Sequence, residues 1–282
     1  MPHATASDGV RLYWEERGSG PTVLLTPYWA MHPSVFDSIE AVLEGEFRVV
    51  RFDERGTGQS DRVGPYDMGT GVSDLETVCE AVGGVAAAVC LVDAANRAVR
   101  VADTRPELVD VVICIGSAPF GVGALRNSDS LLASEAVVGA YLQQLEADYR
   151  GAVRAALSGA NTQLDEEQVK ERVQIQMEYI DAEAASMRAR AWAGDSEAVE
   201  PANRIGDRMH ICLSETLGGS GTWFPSAAEL VAVANELFPD AGQSFVPDGI
   251  VSAPEESAAV VAEVIARRQA EISAGAGPLS SA

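Results

Sequence analysis

Short apolar runs alternate with helix-like segments over the first part of the chain. The apolar runs predict strands at residues 10–16, 22–26, 47–52, 86–92 and 109–115. Between them, apolar positions three and four residues apart predict helices at residues 33–44, 73–82 and 96–104. Ser73, with Glu76 three residues later, indicates a capping box at the start of the second of these helices. This alternation predicts a mostly parallel, doubly wound sheet.

Residues 119–204 break the alternation, because only helical spacing recurs there, as at residues 131–145 and 166–190. Strands and helices then alternate again. Strands are predicted at residues 209–213 and 244–246, and helices at residues 226–237 and 254–270.

This order of segments predicts one α/β core with an insertion. We expect the core at residues 1–118 and 205–272, and a helical lid over the strand ends at residues 119–204. Gly, Ser and Ala dominate residues 273–282, which predicts a disordered tail.

The run FDERGTGQSD at residues 52–61 resembles a loop of the α/β-hydrolase-fold superfamily. Members of that superfamily carry Asp-x-Arg-Gly-x-Gly-x-Ser after their fourth strand. The glycines permit a tight backbone path there, and Asp53 and Arg55 are expected to pair. Residues 105–109 (RPELV) and 116–119 (GSAP) are also similar to the superfamily.

The resemblance covers about residues 8–118 and 205–270 and implies an eight-stranded α/β-hydrolase sheet with a lid. The superfamily places its nucleophile in a Gly-x-Ser-x-Gly turn after the fifth strand. Here residues 91–97 read LVDAANR, with neither serine nor glycine. The matching turn position is Asp93 or, by a second alignment, Ala95.

Asp93 is compatible with two roles. Some members of the superfamily use an aspartate nucleophile to open epoxides or remove halogens. The alternative is that the Asp93 carboxylate caps the helix that begins at this point, because it can accept hydrogen bonds from free backbone N–H groups.

The resemblance also implies a histidine base and an acid. Gly249 matches the residue before that histidine, and Ile250 stands where the imidazole is expected. Glu215 is the only carboxylate in the loop that usually supplies the acid. Of the remaining histidines, His210 falls within a predicted strand, whereas His32 follows the third strand and could reach a pocket.

The backbone donors of an oxyanion hole are also in doubt. In the superfamily a His-Gly pair follows the third strand, but here Pro27 lacks an N–H group and no glycine follows it. Tyr28 and Trp29 come next, and they should stand at the wall of the pocket or pack against the lid.

Charge and composition limit the classes of molecule that the protein is expected to bind. The chain has 42 acidic and 20 basic residues and a net charge of −22, which disfavours nucleic acid and anionic membranes. Lys170 is the only lysine, which with the high alanine and glycine content suggests a GC-rich bacterial genome. Four cysteines lie in apolar runs without metal-ligand spacing and are expected to be reduced core residues: Cys79, Cys90, Cys114 and Cys212.

We expect no metal and no cofactor. No apolar stretch reaches the roughly 20 residues that cross a bilayer, and no signal-type segment opens the chain. We therefore expect a cytoplasmic protein that does not bind membranes. A homodimer is compatible with the sequence.

A lidded cavity without the usual triad suits an apolar small-molecule substrate. The favoured interpretation is a cofactor-independent cyclase or isomerase, of which a pericyclase is one type, in bacterial natural-product or antibiotic biosynthesis. The alternatives are a non-catalytic small-molecule binding protein and an atypical hydrolase that uses Asp93. The candidate catalytic residues are Asp93, Tyr28, Trp29 and His32. The candidate substrate-binding residues are Pro27, Met31, Ala94, Asn96, Tyr141, Met177, Trp192, Trp223 and Ile250. Further lid side chains that could line the cavity are Tyr149, Tyr179 and Met187.

Overall fold

One sheet of eight strands runs through the computed structural model, which describes residues 2–28, 31–116, 118–119, 135–160, 165–214, 227–246 and 253–275. The strands are β1 (His3–Thr5), β2 (Arg11–Gly18), β3 (Thr22–Thr26), β4 (Arg48–Phe52), β5 (Val85–Leu91), β6 (Val109–Ile115), β7 (Met209–Ser214) and β8 (Gly242–Val246). They lie in the order β1-β2-β4-β3-β5-β6-β7-β8. β1 and β2 pair antiparallel with their neighbours, and the pairs from β4 to β8 are parallel. The predicted mostly parallel sheet is confirmed.

Helices cover both faces of the sheet. In the described residues they are α1 (Asp37–Leu43), α2 (Met68–Val82), α3 (Ala94–Thr104), α4 (Glu135–Ala147), α5 (Tyr149–Ala160), α6 (Glu166–Tyr179), α7 (Ala182–Ala193), α8 (Val199–Ile205), α9 (Ala227–Leu237) and α10 (Pro254–Ser273). Along β3, Leu24 packs into the core beneath α2 and α3, whereas Val23 and Leu25 pack beneath α1 and α10. Successive strand residues point to opposite faces of the sheet, so one apolar run contributes side chains to the cores on both faces.

The start of α2 differs from the prediction. The helix begins five residues before Ser73, and Asp67 caps it by accepting a hydrogen bond from the Thr70 N–H at 2.8 Å. The predicted Ser73 capping box is therefore wrong. Glycines in the first turns of α2 obscure the start of this helix in the sequence pattern. Packing requires one of these glycines. A Cβ atom at Gly71 would stand 2.7 Å from Cδ of the buried Arg97.

The insertion between β6 and β7 contains helices α4 to α8. The predicted helix at residues 166–190 is two helices, because Ile180 is extended and Asp181 caps α7 through the Ala184 N–H. Side chains of α4 to α7 form an apolar cluster of their own. The insertion therefore has a small core separate from the two cores of the sheet.

The loop after β4 holds this insertion against the sheet. Its Gly58 N–H donates to the Tyr179 carbonyl at 2.9 Å, and Thr57 forms a β-bridge with Ile180. The predicted Asp53–Arg55 pair is wrong, because the Arg55 guanidinium binds Asp74 through two hydrogen bonds of 2.6 and 2.7 Å. These backbone contacts hold the helical insertion against the loop after β4.

Two other predictions have definite outcomes. The four cysteines are free and buried, as predicted. Ser273 ends α10 and so does not belong to a tail, while residues 276–282 lie outside the described residues. None of the helices described by the structure is both long enough and apolar enough to cross a membrane.

Candidate active site

The turn between β5 and α3 contains a strained backbone position. Val92 has φ of 47°, and it is the only non-glycine residue with positive φ in the described part of the chain. A branched side chain in this conformation costs about 1–3 kcal/mol. Cys90 and Ala94 stand two residues before and after Val92, and both are small and fully buried. The sharp turn therefore centres on Val92, one residue before Asp93 and three before Ala95.

Asp93 belongs to a buried chain of alternating charges. Arg97 donates from Nη1 to Asp93 Oδ2 at 2.6 Å and from Nη2 to Glu54 Oε1 at 2.7 Å. The second oxygen of Glu54 accepts a hydrogen bond from Arg188 of α7. The Asp93 side chain makes no capping hydrogen bond to α3, so the predicted cap is wrong. This chain joins the turn, the loop after β4 and the insertion.

Tyr28 lies where the sheet meets the insertion. It packs against the core beneath α1 and α10 and also against the apolar cluster of the insertion. Burial raises the pKa of Tyr28 well above its usual range, and the nearby Tyr149 and Asp93 side chains raise it further. At neutral pH the Tyr28 hydroxyl therefore keeps its proton and can act as a hydrogen-bond donor.

The insertion places two further polar groups beside Tyr28. The Tyr149 hydroxyl and the Gln176 side-chain amide are buried next to each other. Burial raises the pKa of Tyr149 to about 12, and the neighbouring Gln176 amide opposes that rise. Both groups are thus uncharged and close to each other.

His32 opens onto a different, polar cleft. This cleft of about 560 Å³ is also lined by Asp53, Tyr179 and Arg51. His32 Nδ1 accepts a hydrogen bond from the Ser34 N–H at 3.1 Å, and its ring packs edge-on against Tyr179. Burial lowers the pKa of His32 and raises that of Asp53, so both groups are pushed toward their neutral forms.

Ion pairs already occupy much of this cleft. Arg51 bonds Asp37, Glu15 and Glu40 at distances of 2.7, 3.0 and 3.1 Å. His32 is therefore half-buried in a charged cleft lined in part by β2 and β4, and the structure brings it together with Tyr179 and Asp53.

The other predicted binding residues are spread over several environments. Pro27 is buried, and Met31 and Met177 pack against the apolar cluster of the insertion. Ala94 is fully buried in the core beneath α3. The Asn96 amide donates to Asp195 Oδ2 at 2.7 Å, which ties α3 to the segment after α7.

Two predicted lid side chains also have definite positions. Trp192 is half-buried near the end of α7, and Met187 is exposed. Trp29, Trp223 and Ile250 lie outside the described residues, as does the side chain of Tyr141 on α4. No three carboxylate, histidine or cysteine groups in the described ranges are arranged to hold a metal ion.

Solved structures of known proteins have the same architecture. An esterase (EaEST) from Exiguobacterium antarcticum superposes with a TM-score of 0.77 and 17% identity, over 93% of this chain and 98% of that one. A bromoperoxidase from Bacillus anthracis superposes with a TM-score of 0.73 and 15% identity, over 94% of this chain and 99% of that one. The chain has the α/β-hydrolase fold. At these identities the likeness concerns the fold alone.

Sequence similarity to curated proteins is confined to a short segment. A non-heme haloperoxidase of Rhodococcus erythropolis is 32% identical over 85 residues, which are 29% of this chain and 31% of that protein. A non-heme chloroperoxidase CPO-A1 of Kitasatospora aureofaciens is 32% identical over 77 residues, or 27% of this chain and 28% of that protein. The match thus spans less than a third of these relatives. No protein-family model matches the chain.

The position of the strained turn can be compared with the corresponding position in the α/β-hydrolase fold. In the α/β-hydrolase fold the nucleophile sits on a sharp, strained turn between the fifth strand and the next helix. Val92 occupies that turn here, after β5 and before α3. Sequence reasoning missed this residue, because the turn has neither serine nor flanking glycines. It also missed the charged partners Glu54, Arg97 and Arg188, since their contacts join distant parts of the chain.

Proposed function

We propose that this protein is a cofactor-independent isomerase or cyclase that rearranges an apolar small molecule without a covalent intermediate. The observation that carries the proposal is Val92 at the strained turn of the α/β-hydrolase fold. An alkyl side chain cannot attack a carbonyl, an epoxide or an alkyl halide, so a covalent route through this position is closed. Rearrangements need no covalent nucleophile.

Hydrolysis is the main rival, because proteins of similar fold include an esterase and relatives include haloperoxidases. A hydrolytic route would have to use the adjacent Asp93. The Arg97 guanidinium binds Asp93 Oδ2 at 2.6 Å, and such a charge-assisted bond stabilises the carboxylate and weakens it as a nucleophile. This contact favours a structural role for Asp93.

Substrate folding and hydrogen bonding would supply the rate enhancement. Holding a flexible molecule in a reactive conformation can lower a barrier by about 7–11 kcal/mol. Tyr28, which keeps its proton at neutral pH, is the donor that we assign to the reacting group. A place in natural-product biosynthesis stays a prediction, and neighbouring genes for a polyketide or peptide assembly line would supply the substrate class.

The test is a search for mass-conserving conversion. Purified protein is incubated with a small-molecule extract of the source organism, and the products are followed by liquid chromatography and mass spectrometry. We expect at least one compound to be replaced by an isomer of identical mass. Heat-denatured protein should leave that compound unchanged, and Tyr28→Phe should slow its conversion at least about tenfold, in line with the loss of one positioned donor.

Two results would overturn the proposal. Products whose combined mass exceeds that of the precursor by one water would show hydrolysis. A compound that co-purifies with the protein but returns unchanged after long incubation would show a binding protein without catalysis.

A further inference from the structure

The cleft beside His32 contains more negative than positive charge. Its volume of about 560 Å³ is in the range of sites that bind small molecules. Five carboxylates and two guanidinium groups line it: Glu15, Asp37, Glu40, Glu44, Asp53, Arg17 and Arg51. Burial lowers the pKa of His32, so at neutral pH the imidazole adds no positive charge. The cleft therefore has a formal excess of three negative charges.

One arginine is shared by most of these carboxylates. Arg51 forms ion pairs with three of them, which are Asp37, Glu15 and Glu40. Arg17 approaches only Glu40, at 3.7 Å. A single guanidinium group neutralises one carboxylate, so the ion pairs within the cleft leave much of its negative charge uncompensated.

Asp53 is a buried carboxylate without a counter-charge. It is 8% exposed and forms no ion pair with the residues that the structure describes. Its side chain accepts hydrogen bonds from the Gln59 backbone N–H at 2.8 Å and from the Tyr179 hydroxyl. A carboxylate can accept about four hydrogen bonds, so acceptor positions remain. Buried carboxylates are normally paired, and Asp53 lies on the wall of a cavity that can admit a cation.

Helix α1 and the residue that follows it distribute the other carboxylates along the cleft. Asp37, Glu40, Ala41 and Glu44 line the cleft and follow the spacing i, i+3, i+4 and i+7, which places them on one face. Seven residues of helix extend over about 10 Å. The negative charge is therefore arranged in a row, which suits a chain with several positive groups better than it suits a single ion.

We infer that this cleft binds a linear aliphatic polyamine, with one ammonium group at Asp53 and another beside Glu44. Tyr13, Tyr179 and Pro33 also line the cleft and offer aromatic and apolar surface to the methylene chain. The net charge of −22 attracts such a cation to the protein. Since Tyr179 is the last residue of α6, the bound polyamine contacts the insertion as well as the sheet.

Amines and a neutral analogue of the same length test the charge requirement. Spermidine, 1,8-diaminooctane and 1,8-octanediol are titrated into the full-length protein by isothermal calorimetry at physiological salt, where charges more than about 8 Å apart are largely screened. We expect each amine to bind once per chain. The diol lacks the ammonium groups and should bind at least about tenfold more weakly.

Two neighbouring glutamates separate the cleft from the acidic surface as a whole. Glu44→Gln removes a carboxylate that lines the cleft and should weaken spermidine binding by about two- to fivefold. Glu46→Gln is the matched control, because Glu46 is exposed, does not line the cleft and gives the same change in net charge. Its affinity should stay close to that of the wild type. Asp53→Asn keeps an acceptor for the Gln59 N–H and should weaken binding by about tenfold or more.

A lysine placed in the cleft gives a test that needs no loss of a carboxylate. Ala41 is exposed on α1 and lines the cleft, so Ala41→Lys supplies an ammonium group from the protein itself. This variant should block spermidine binding and raise the melting temperature by about 2 °C relative to Val42→Lys. Val42 is 40% exposed on the same helix and lies outside the cleft, so Val42→Lys should still bind spermidine.

The outcomes decide between a site and diffuse attraction. Single-site binding that Asp53→Asn and Ala41→Lys reduce, and that Glu46→Gln and Val42→Lys retain, supports the inference. Binding that does not saturate, equal effects of Glu44→Gln and Glu46→Gln, or equal affinity for the diol would overturn it. The cleft is distinct from the strained turn, so none of these results affects the proposed isomerase or cyclase function.

Discussion

At the scale of single residues, Val92 combines a strained backbone between β5 and α3 with an alkyl side chain. Its φ of 47° is unfavourable for a branched side chain. Backbone strain of this kind persists where the surrounding structure imposes it, as at functional sites. Here the packing of β5 and α3 imposes the turn whether or not a reactive side chain is present.

The strain at Val92 predicts an unusual response to glycine. In Val92→Gly, relief of the backbone strain should roughly offset the loss of a half-buried side chain, so the free energy of unfolding should change by less than about 1 kcal/mol. The control Val89→Gly, at a fully buried position of β5, should cost about 3 kcal/mol or more. Urea unfolding measures both, and an equal loss in the two variants would contradict the strained turn.

The candidate site was only partly predictable from individual residues. Tyr28 follows the third strand, so its position beside the lid could be expected. The position of Val92 could not, because valine gives no local signal for a positive φ. The contact between Gln176 Oε1 and the His32 backbone N–H joins residues 144 positions apart, so no local pattern could have predicted it.

At the scale of elements, the loop after β4 connects the sheet with the insertion. Glu54 in this loop binds Arg97 of α3 and Arg188 of α7, and all three side chains are nearly buried. Removing one partner of such a network leaves a buried charge with fewer compensating contacts. The network should therefore control how readily the insertion opens.

Arg188→Met is expected to loosen the insertion selectively. Hydrogen exchange followed by mass spectrometry should become faster in α6 and α7, corresponding to a loss of about 3 kcal/mol in opening free energy, while β5 and β6 stay protected. Arg190→Met, on the same helix as Arg188, is the matched control, since Arg190 forms an exposed pair with Glu146 of α4 and should change exchange by less than about 1 kcal/mol. Similar exchange in both variants would show that the ion pairs of Glu54 with Arg97 and Arg188 do not hold the insertion in place.

Elements were predictable where local pattern and packing agree. Strands β3 and β6 match their predicted bounds, because each is one short apolar run buried on both faces. The start of α2 was missed because its first turns contain glycines that tertiary contact with Arg97 requires. The break between α6 and α7 was missed because Ile180 continues the apolar pattern while its backbone turns extended.

At the scale of the whole molecule, pH should act on stability through His210. This residue is 3% exposed on β7, where Nε2 contacts Ser244 Oγ at 2.8 Å. Burial, together with the nearby charge of Arg267, lowers its pKa from 6.5 to about 4. The folded protein therefore keeps His210 neutral over a range in which the unfolded chain binds a proton.

The sign of the pH effect follows from this difference. As pH falls from about 6.5 to about 4, the unfolded state gains the proton first, and the free energy of unfolding should fall by up to about 3 kcal/mol. Urea unfolding across this range should show a smaller decline in His210→Gln, which removes the titrating group. If the free energy of unfolding declines equally steeply in wild type and His210→Gln, carboxylates and not His210 cause the pH dependence.

The central claim is that this α/β-hydrolase fold acts without a covalent nucleophile, and intact-protein mass spectrometry tests it most directly. Wild-type protein is treated with a fluorophosphonate and, separately, with p-nitrophenyl butyrate. The Val92→Cys variant, treated with iodoacetamide, shows whether small reagents reach the turn, because all four native cysteines are buried.

We predict alkylation of Val92→Cys, no fluorophosphonate adduct on the wild type and no ester turnover above a denatured control. One fluorophosphonate per wild-type chain, or ester hydrolysis that Asp93→Asn abolishes, would contradict the account.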